Sequence, residues 1–157
     1  MRRTTGYRKV LAVASSGGHR VQLRRLVPAF RGCELVFVTT VKSYRSQVGG
    51  NRYYSVTDAR RRSKLRLIRL AAQVLGIAWI LAKEAPGIVI STGTTPGYFA
   101  VVLGHFLGAK TIWVDSMANM ERLSLAGSRV GWCADLWLTQ WPGLARTTGP
   151  MYVGSVI

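Results

Sequence analysis

Acidic side chains are what this sequence has least of. Among 157 residues there are 6 Asp and Glu against 22 Lys and Arg, a formal charge of +16. Cysteine is scarce too: Cys33 and Cys133 alone. Two such distant thiols give neither a disulfide framework nor a zinc-type spacing, and each reads as a small buried apolar residue. No cluster of His, Cys, Asp and Glu with metal-ligand spacing exists, so no essential metal and no cofactor are expected. Long hydrophobic runs are missing as well. The longest are 70–82, broken by Gln73, and 98–109, broken by His105. Both fall short of the ~20 residues of a spanning helix. The opening residues are basic and lack an apolar core, so a signal peptide is not expected and the chain is placed in the cytoplasm.

What is present is a folded domain. Hydrophobic residues make up 48% of the chain, which argues against disorder, and charged residues only 18%. The charge is lopsided. Residues 1–70 hold 17 of the basic side chains with only Glu34 and Asp58, a net +15; the remaining five bases and four acids leave +1. Such a field favours nucleic acid, anionic lipid or phosphorylated substrates, without choosing among them.

Apolar runs at 9–15, 35–40, 87–91, 110–114 and 136–139 read as buried strands, with weaker ones at 53–56 and 151–153. Between them, 19–30, 64–83 and 94–107 read as helices and 123–133 as a short one; Thr94 or Thr95 is the expected N-cap of the third. Strands that are apolar throughout and alternate with helices predict an α/β fold, a Rossmann-like doubly wound parallel sheet. A basic leader, 1–8, precedes a single domain over 9–157.

Ligands of such sheets sit beyond the carboxyl ends of the strands. The polar and glycine residues gather there. Ser15, Ser16, Gly17, Gly18 and His19 form the first strand-to-helix turn, suited to phosphate, with His19 on its rim as a candidate general base. The plainer reading is a tight turn whose histidine caps the helix. Ser91, Thr92, Gly93, Thr94 and Thr95 form a second such turn, or simply a well-capped helix. Asp115, Asn119 and Glu121 follow the fifth strand. There Asp115 would bind sugar hydroxyls, orient His19, or only order a loop. Asp135 lies at the opposite end of its strand and reads as structural. The dinucleotide fingerprint G-x-G-x-x-G is absent and strand two ends in Thr39-Thr40, which disfavours a nicotinamide enzyme.

Arg60, Arg61, Arg62, Lys64, Arg66 and Arg69 precede an apolar stretch with Leu75, Ile77, Trp79 and Ile80. A basic end on a Trp-containing apolar body fits a membrane interface; a buried crossover helix with a solvated end is the alternative. No helix-turn-helix, zinc or RNA-stacking pattern accompanies the charge, so nucleic acid is not the expected partner.

Taken together, VLAVASSGGH (10–19), ISTGTTPG (90–97), WVDSMANMERLSLAG (113–127), ADLWLTQWPGL (134–144) and YVGS (152–155) resemble one family. It is the bacterial exopolysaccharide and capsule glycosyltransferase subunits of the PssD/EpsE type. These are related to the membrane-anchor subunit of the eukaryotic bipartite N-acetylglucosaminyltransferase and to the N-terminal half of MurG. The resemblance covers 9–157. It implies a single N-terminal-type half of a GT-B glycosyltransferase, the acceptor side, completed by a separate donor-binding subunit. It implies transfer from a UDP-sugar to a polyprenyl-pyrophosphate-linked saccharide, at the cytoplasmic face of the plasma membrane with the chain peripherally attached. By the same resemblance His19 and Asp115 are the catalytic candidates. Ser16, Gly17, Gly18, Thr92, Gly93, Thr94 and Asn119 would hold acceptor phosphate. Gln140 and Trp141 would lie near the cleft and partner, and Arg60, Arg61, Arg62, Lys64 and Trp79 at the membrane. The first turn is poorer in glycine than the MurG form. The alternatives are a non-catalytic scaffold that recruits a complete transferase to the membrane, and a nucleic-acid-binding Rossmann domain.

Overall fold

The computed structural model describes residues 8–59 and 65–156. Seven strands form one sheet: β1 (Lys9–Val13), β2 (Glu34–Thr39), β3 (Arg52–Ser55), β4 (Ile88–Ser91), β5 (Lys110–Val114), β6 (Leu136–Thr139) and β7 (Met151–Tyr152). Their order is β3-β2-β1-β4-β5-β6-β7, and every pairing is parallel. Helices α1 (Gly18–Leu26), α2 (Arg66–Glu84), α3 (Thr94–Phe106) and α4 (Leu125–Arg129) connect them. The parallel, Rossmann-like sheet expected from the apolar strands is therefore present.

Side chains on alternate strand positions feed two cores. Leu11, Val13, Val36, Val38, Val89 and Trp113 meet Ile77, Ile80 and Leu81 of α2 and Ala100 and Val101 of α3. Val10, Ala12, Leu35, Ile90 and Val114 meet Leu23 of α1 on the other face. Cys133 lies buried in the first core, and burial pushes its thiol pKa up, which leaves it inert. The chain crosses from β3 through α2 to β4, so β1 and β4 are neighbours whose connections leave in opposite directions. That junction is the switch point of the sheet, where a crevice opens at the carboxyl ends.

The opposite end of the sheet is closed by ion pairs. Glu84, 1% exposed, accepts from Lys9 Nζ at 3.0 Å, Arg52 Nη1 at 2.8 Å and Tyr54 OH at 2.5 Å. Burial alone would raise its pKa; the hydrogen bonds from Tyr54, Lys9 and Arg52 outweigh it and hold it at about 2. Asp135 accepts from the Thr111 amide and hydroxyl and from Lys110, the structural role its position suggested.

Several boundaries differ from expectation. The first helix stops at Leu26 and continues as a 3-10 turn, Val27–Phe30, because Pro28 supplies no amide hydrogen for an α-helical bond. Neither Thr94 nor Thr95 caps α3: Gly93 does, and no side chain bonds the helix start. The fourth helix is five residues long rather than the eleven of 123–133. Asp115 fixes its start at Ser124, and it ends at Arg129 with Val130 as C-cap; just beyond, a side chain at Gly131 would come within 2.4 Å of Trp137, so the indole packs against bare backbone there.

Candidate functional site

Two turns meet at the switch point. After β1 the chain bends through Gly17, whose φ of 73° and ψ of −140° suit only glycine, and α1 begins. After β4 it bends through Gly93 at φ 123° into Thr94 at φ 75°. Thr94 is a β-branched residue in the left-handed region, a conformation that costs about 1–3 kcal/mol.

The turns are laced together through His19. Its Nδ1 lies 2.8 Å from the Thr92 carbonyl oxygen, and the Thr92 hydroxyl donates to the His19 carbonyl at 2.6 Å. A carbonyl only accepts, so Nδ1 carries the hydrogen, and in the neutral ring Nε2 is left as the proton acceptor. A Cβ on Gly93 would come within 2.9 Å of the imidazole, so the ring rests directly on that glycine. Ser91, completely buried, exchanges hydrogen bonds with Gly93 at 3.1 Å and fixes the turn from beneath.

Beside the ring lies a cleft of about 340 Å³, lined by His19, Thr94, Thr95, Ser116, Asn119 and Ser124 with three apolar neighbours. No acidic side chain lines it. Thr94 is 7% exposed, and its hydroxyl is buried without a hydrogen-bond partner among the described residues. A strained backbone and an unsatisfied buried hydroxyl each cost stability at this position.

Asp115 stands behind this cleft. Its carboxylate accepts from the Ser124 amide at 2.9 Å, the Ser124 hydroxyl at 2.5 Å, Trp113 Nε1 at 3.3 Å and Asn119 Nδ2 at 3.4 Å. It is 1% exposed. Thr92, not Asp115, orients the ring of His19, and the acid's contacts are those of the loop-ordering alternative. Through Ser124, whose hydroxyl also receives the Gly127 amide, it caps α4 and carries Ser116 and Asn119 to the cleft wall.

The other sequence candidates divide. Thr94 and Asn119 line the cleft; Gly93, the N-cap of α3, lies under the His19 ring, and Ser16, Gly17 and Gly18 form the exposed turn beside it. Thr92 is completely buried and spends its hydroxyl on His19. Gln140 is buried and bonded to the Asp115 carbonyl and the Val156 amide, tying the end of the chain to β5. Trp141 donates to the Met117 carbonyl at 2.8 Å and braces the same loop. Neither lines the cleft. Trp79 is exposed on α2, with Lys83 4.7 Å from its ring centre. Arg60, Arg61, Arg62 and Lys64 lie outside the described residues. Sequence reading missed Ser116 and Ser124 as cleft residues. Their signal was position alone: Ser116 directly follows the acid at the end of β5, and Ser124 precedes a helix.

No family model and no curated protein matches the chain in sequence. Solved structures match its fold. MurG from Acinetobacter baumannii superposes with a TM-score of 0.75 at 11% identity, over 94% of this chain and 45% of that one. UDP-N-acetylglucosamine 2-epimerase from Rickettsia bellii gives 0.67 at 14% identity, over 96% and 46%. A glycosyltransferase from Rickettsia africae gives 0.53 at 13%, over 69% and 29%. The chain thus spans less than half of each neighbour. Its fold is that of one half of a GT-B structure, as the sequence resemblance implied.

Proposed function

We propose that this chain is the acceptor-binding subunit of a two-component glycosyltransferase, which moves a sugar from a UDP-sugar to a polyprenyl-pyrophosphate-linked saccharide in exopolysaccharide assembly. The observation that carries this reading is that His19 and Thr94 line one cleft at the switch point. The ring is held through Nδ1 by the Thr92 carbonyl, Thr94 has a strained backbone and a hydroxyl without a partner among the described residues, and no acid among the described residues lines the cleft. The fold supports it: the chain superposes on one half of MurG, covering 45% of that chain.

In this reading the amides and hydroxyls of the two turns receive acceptor phosphate, and the absence of a lining carboxylate spares it repulsion. The acceptor hydroxyl approaches Nε2 of His19, which takes its proton as the oxygen attacks the anomeric carbon of the UDP-sugar. The bond from that carbon to UDP breaks, and UDP leaves with the electron pair. The Thr92 carbonyl stabilises the imidazolium through Nδ1–H. Asp115 is a positioning residue, acting through Ser124 and Asn119.

The membrane role falls to α2. Ile68, Leu75 and Trp79 are exposed at 66%, 70% and 56%, at helical spacings that place them along one stripe. Arg66 and Arg69 lie on the same helix, and Arg60, Arg61, Arg62 and Lys64 precede it in sequence. An apolar stripe with a basic end suits attachment to anionic lipid at the cytoplasmic leaflet. No described helix is long and apolar enough to cross a membrane.

The test is sugar transfer. Labelled UDP-sugars and polyprenyl-pyrophosphate saccharides are given to this chain, to a donor-binding protein encoded beside it, and to the mixture. Product from the mixture alone is expected. Equal product from the neighbour alone contradicts the proposal and reduces this chain to a recruiting scaffold.

A further inference from the structure

A second cavity lies on the other side of the first turn. The connection from β2 to β3 contains only the 3-10 helix Lys42–Gln47, where a doubly wound unit elsewhere carries a full helix. So short an element leaves part of the sheet face uncovered between itself and α1. The gap is a cavity of about 290 Å³, the lower end of the size range of small-molecule sites, ~300–1,000 Å³.

Its two sides differ in chemistry. Leu23 of α1, Val27 of the 3-10 turn that follows it, Phe37 of β2 and Val48 give it an apolar wall. Arg20 and Arg24 stand at its polar side, and no acidic residue lines it. The Arg20 guanidinium is already held in place: it lies 3.8 Å from the centre of the Tyr44 ring, and Nη1 donates to Gln47 Oε1 at 2.5 Å. Its Nε is buried and has no hydrogen-bond partner among the described residues. A guanidinium held by a ring face and one side-chain amide, with its Nε–H unmet, suits an oxygen anion.

We propose that this cavity binds an anionic amphiphile, an apolar chain carrying a phosphate. The chain packs on Leu23, Val27, Phe37 and Val48, and a phosphate oxygen accepts from Arg20 Nε with Arg24 beside it. This site is distinct from the His19 cleft, which lies toward β4 and β5, and it does not depend on the transfer reaction. Such a ligand has two sources: a soluble alkyl phosphate, or a prenyl phosphate held in a membrane.

Octyl phosphate titrated into the ¹⁵N-labelled full chain tests this. Saturable shifts are expected at the amides of Arg20, Tyr44 and Val48. Octanol should bind at least about tenfold more weakly, and Arg20→Gln should weaken octyl phosphate by a similar factor. Val48→Trp, which fills the cavity, should abolish binding. Octanol binding as well as octyl phosphate, or no saturable shift, overturns the proposal. So does a natively dispersed Val48→Trp variant of unchanged affinity. Should that variant lose its native spectrum, the octanol and Arg20→Gln comparisons still decide. Displacement of octyl phosphate by phosphatidylcholine vesicles carrying polyprenyl phosphate, but not by plain vesicles, assigns the site to a membrane-held chain. Retention under both assigns it to a soluble amphiphile.

Discussion

At the scale of single residues, the candidate site is built from positions that spend stability. Thr94 has a positive φ and a buried hydroxyl without a partner. Replacing it with valine keeps the shape and removes the unsatisfied oxygen. Thr94→Val should therefore unfold at the same or a slightly higher temperature than the parent, while sugar transfer falls roughly tenfold, the worth of one lost hydrogen bond to a charged group. A variant equally active, or clearly less stable, contradicts a ligand-binding role for this hydroxyl. The residues of this site were unequally legible in the sequence. Gly17, Gly18 and His19 were visible because glycine and histidine after an apolar run have few other uses. The strain at Thr94 was not, because a threonine before a Pro-containing helix reads as an ordinary cap. Only the backbone shows that Gly93 takes the cap and pushes Thr94 into the left-handed region. The cavity beside Arg20 was invisible for a similar reason: it arises where a helix is missing, and the residues that line it run from 14 to 53.

At the scale of elements, the strands were read nearly to the residue because β1, β2, β4, β5 and β6 are largely apolar runs, while β3 and β7 gave the weaker signal. Their ends shifted by one or two positions where a polar residue pairs or an apolar one leaves the ladder. The helices were harder. The end of α1 depended on Pro28, and α4 was overextended because its bounds depend on tertiary contacts: Asp115 on Ser124 sets its start, and Gly131 packs against Trp137 just past its end. The end of α2 is tied to the sheet by Glu84, which clamps β1 and β3 through Lys9, Arg52 and Tyr54. A carboxylate with a lowered folded pKa stabilises above its unfolded value and loses that contribution as pH falls through the folded one. For Glu84 the window runs from 4.5 down to about 2. Glu84→Gln should cost about 2 kcal/mol at pH 7, discounted because Arg52 is solvent-screened, and the gap should close as pH approaches 2. Urea unfolding at pH 7, 4.5 and 2.5 measures it; a gap that stays constant with pH contradicts the account.

At the scale of the whole molecule, charge is concentrated in one half, and the exposed apolar side chains of α2 begin at its border. Residues 1–70 carry nearly all the net charge, and the exposed stripe of α2 starts where that half ends. Arg60, Arg61 and Arg62 exchanged for serine should weaken binding to anionic vesicles by roughly tenfold to a hundredfold and flatten its salt dependence. Unchanged binding removes the basic segment from the docking surface. The fold and the sheet edge that carries the candidate site were both legible at this scale, because a parallel sheet places its strand ends together and the polar residues collect there. What lay beyond the sequence was how the two turns join: His19 and Thr92 are 73 positions apart and meet only across the β1–β4 junction. That junction is the centre of the account, and one rate tests it most directly. In the reconstituted mixture, single-turnover sugar transfer by His19→Ala should fall about 10²–10⁴-fold with folding and partner binding intact. Transfer at the parent rate would show that this imidazole does not take the proton, and the cleft would lose its assigned chemistry.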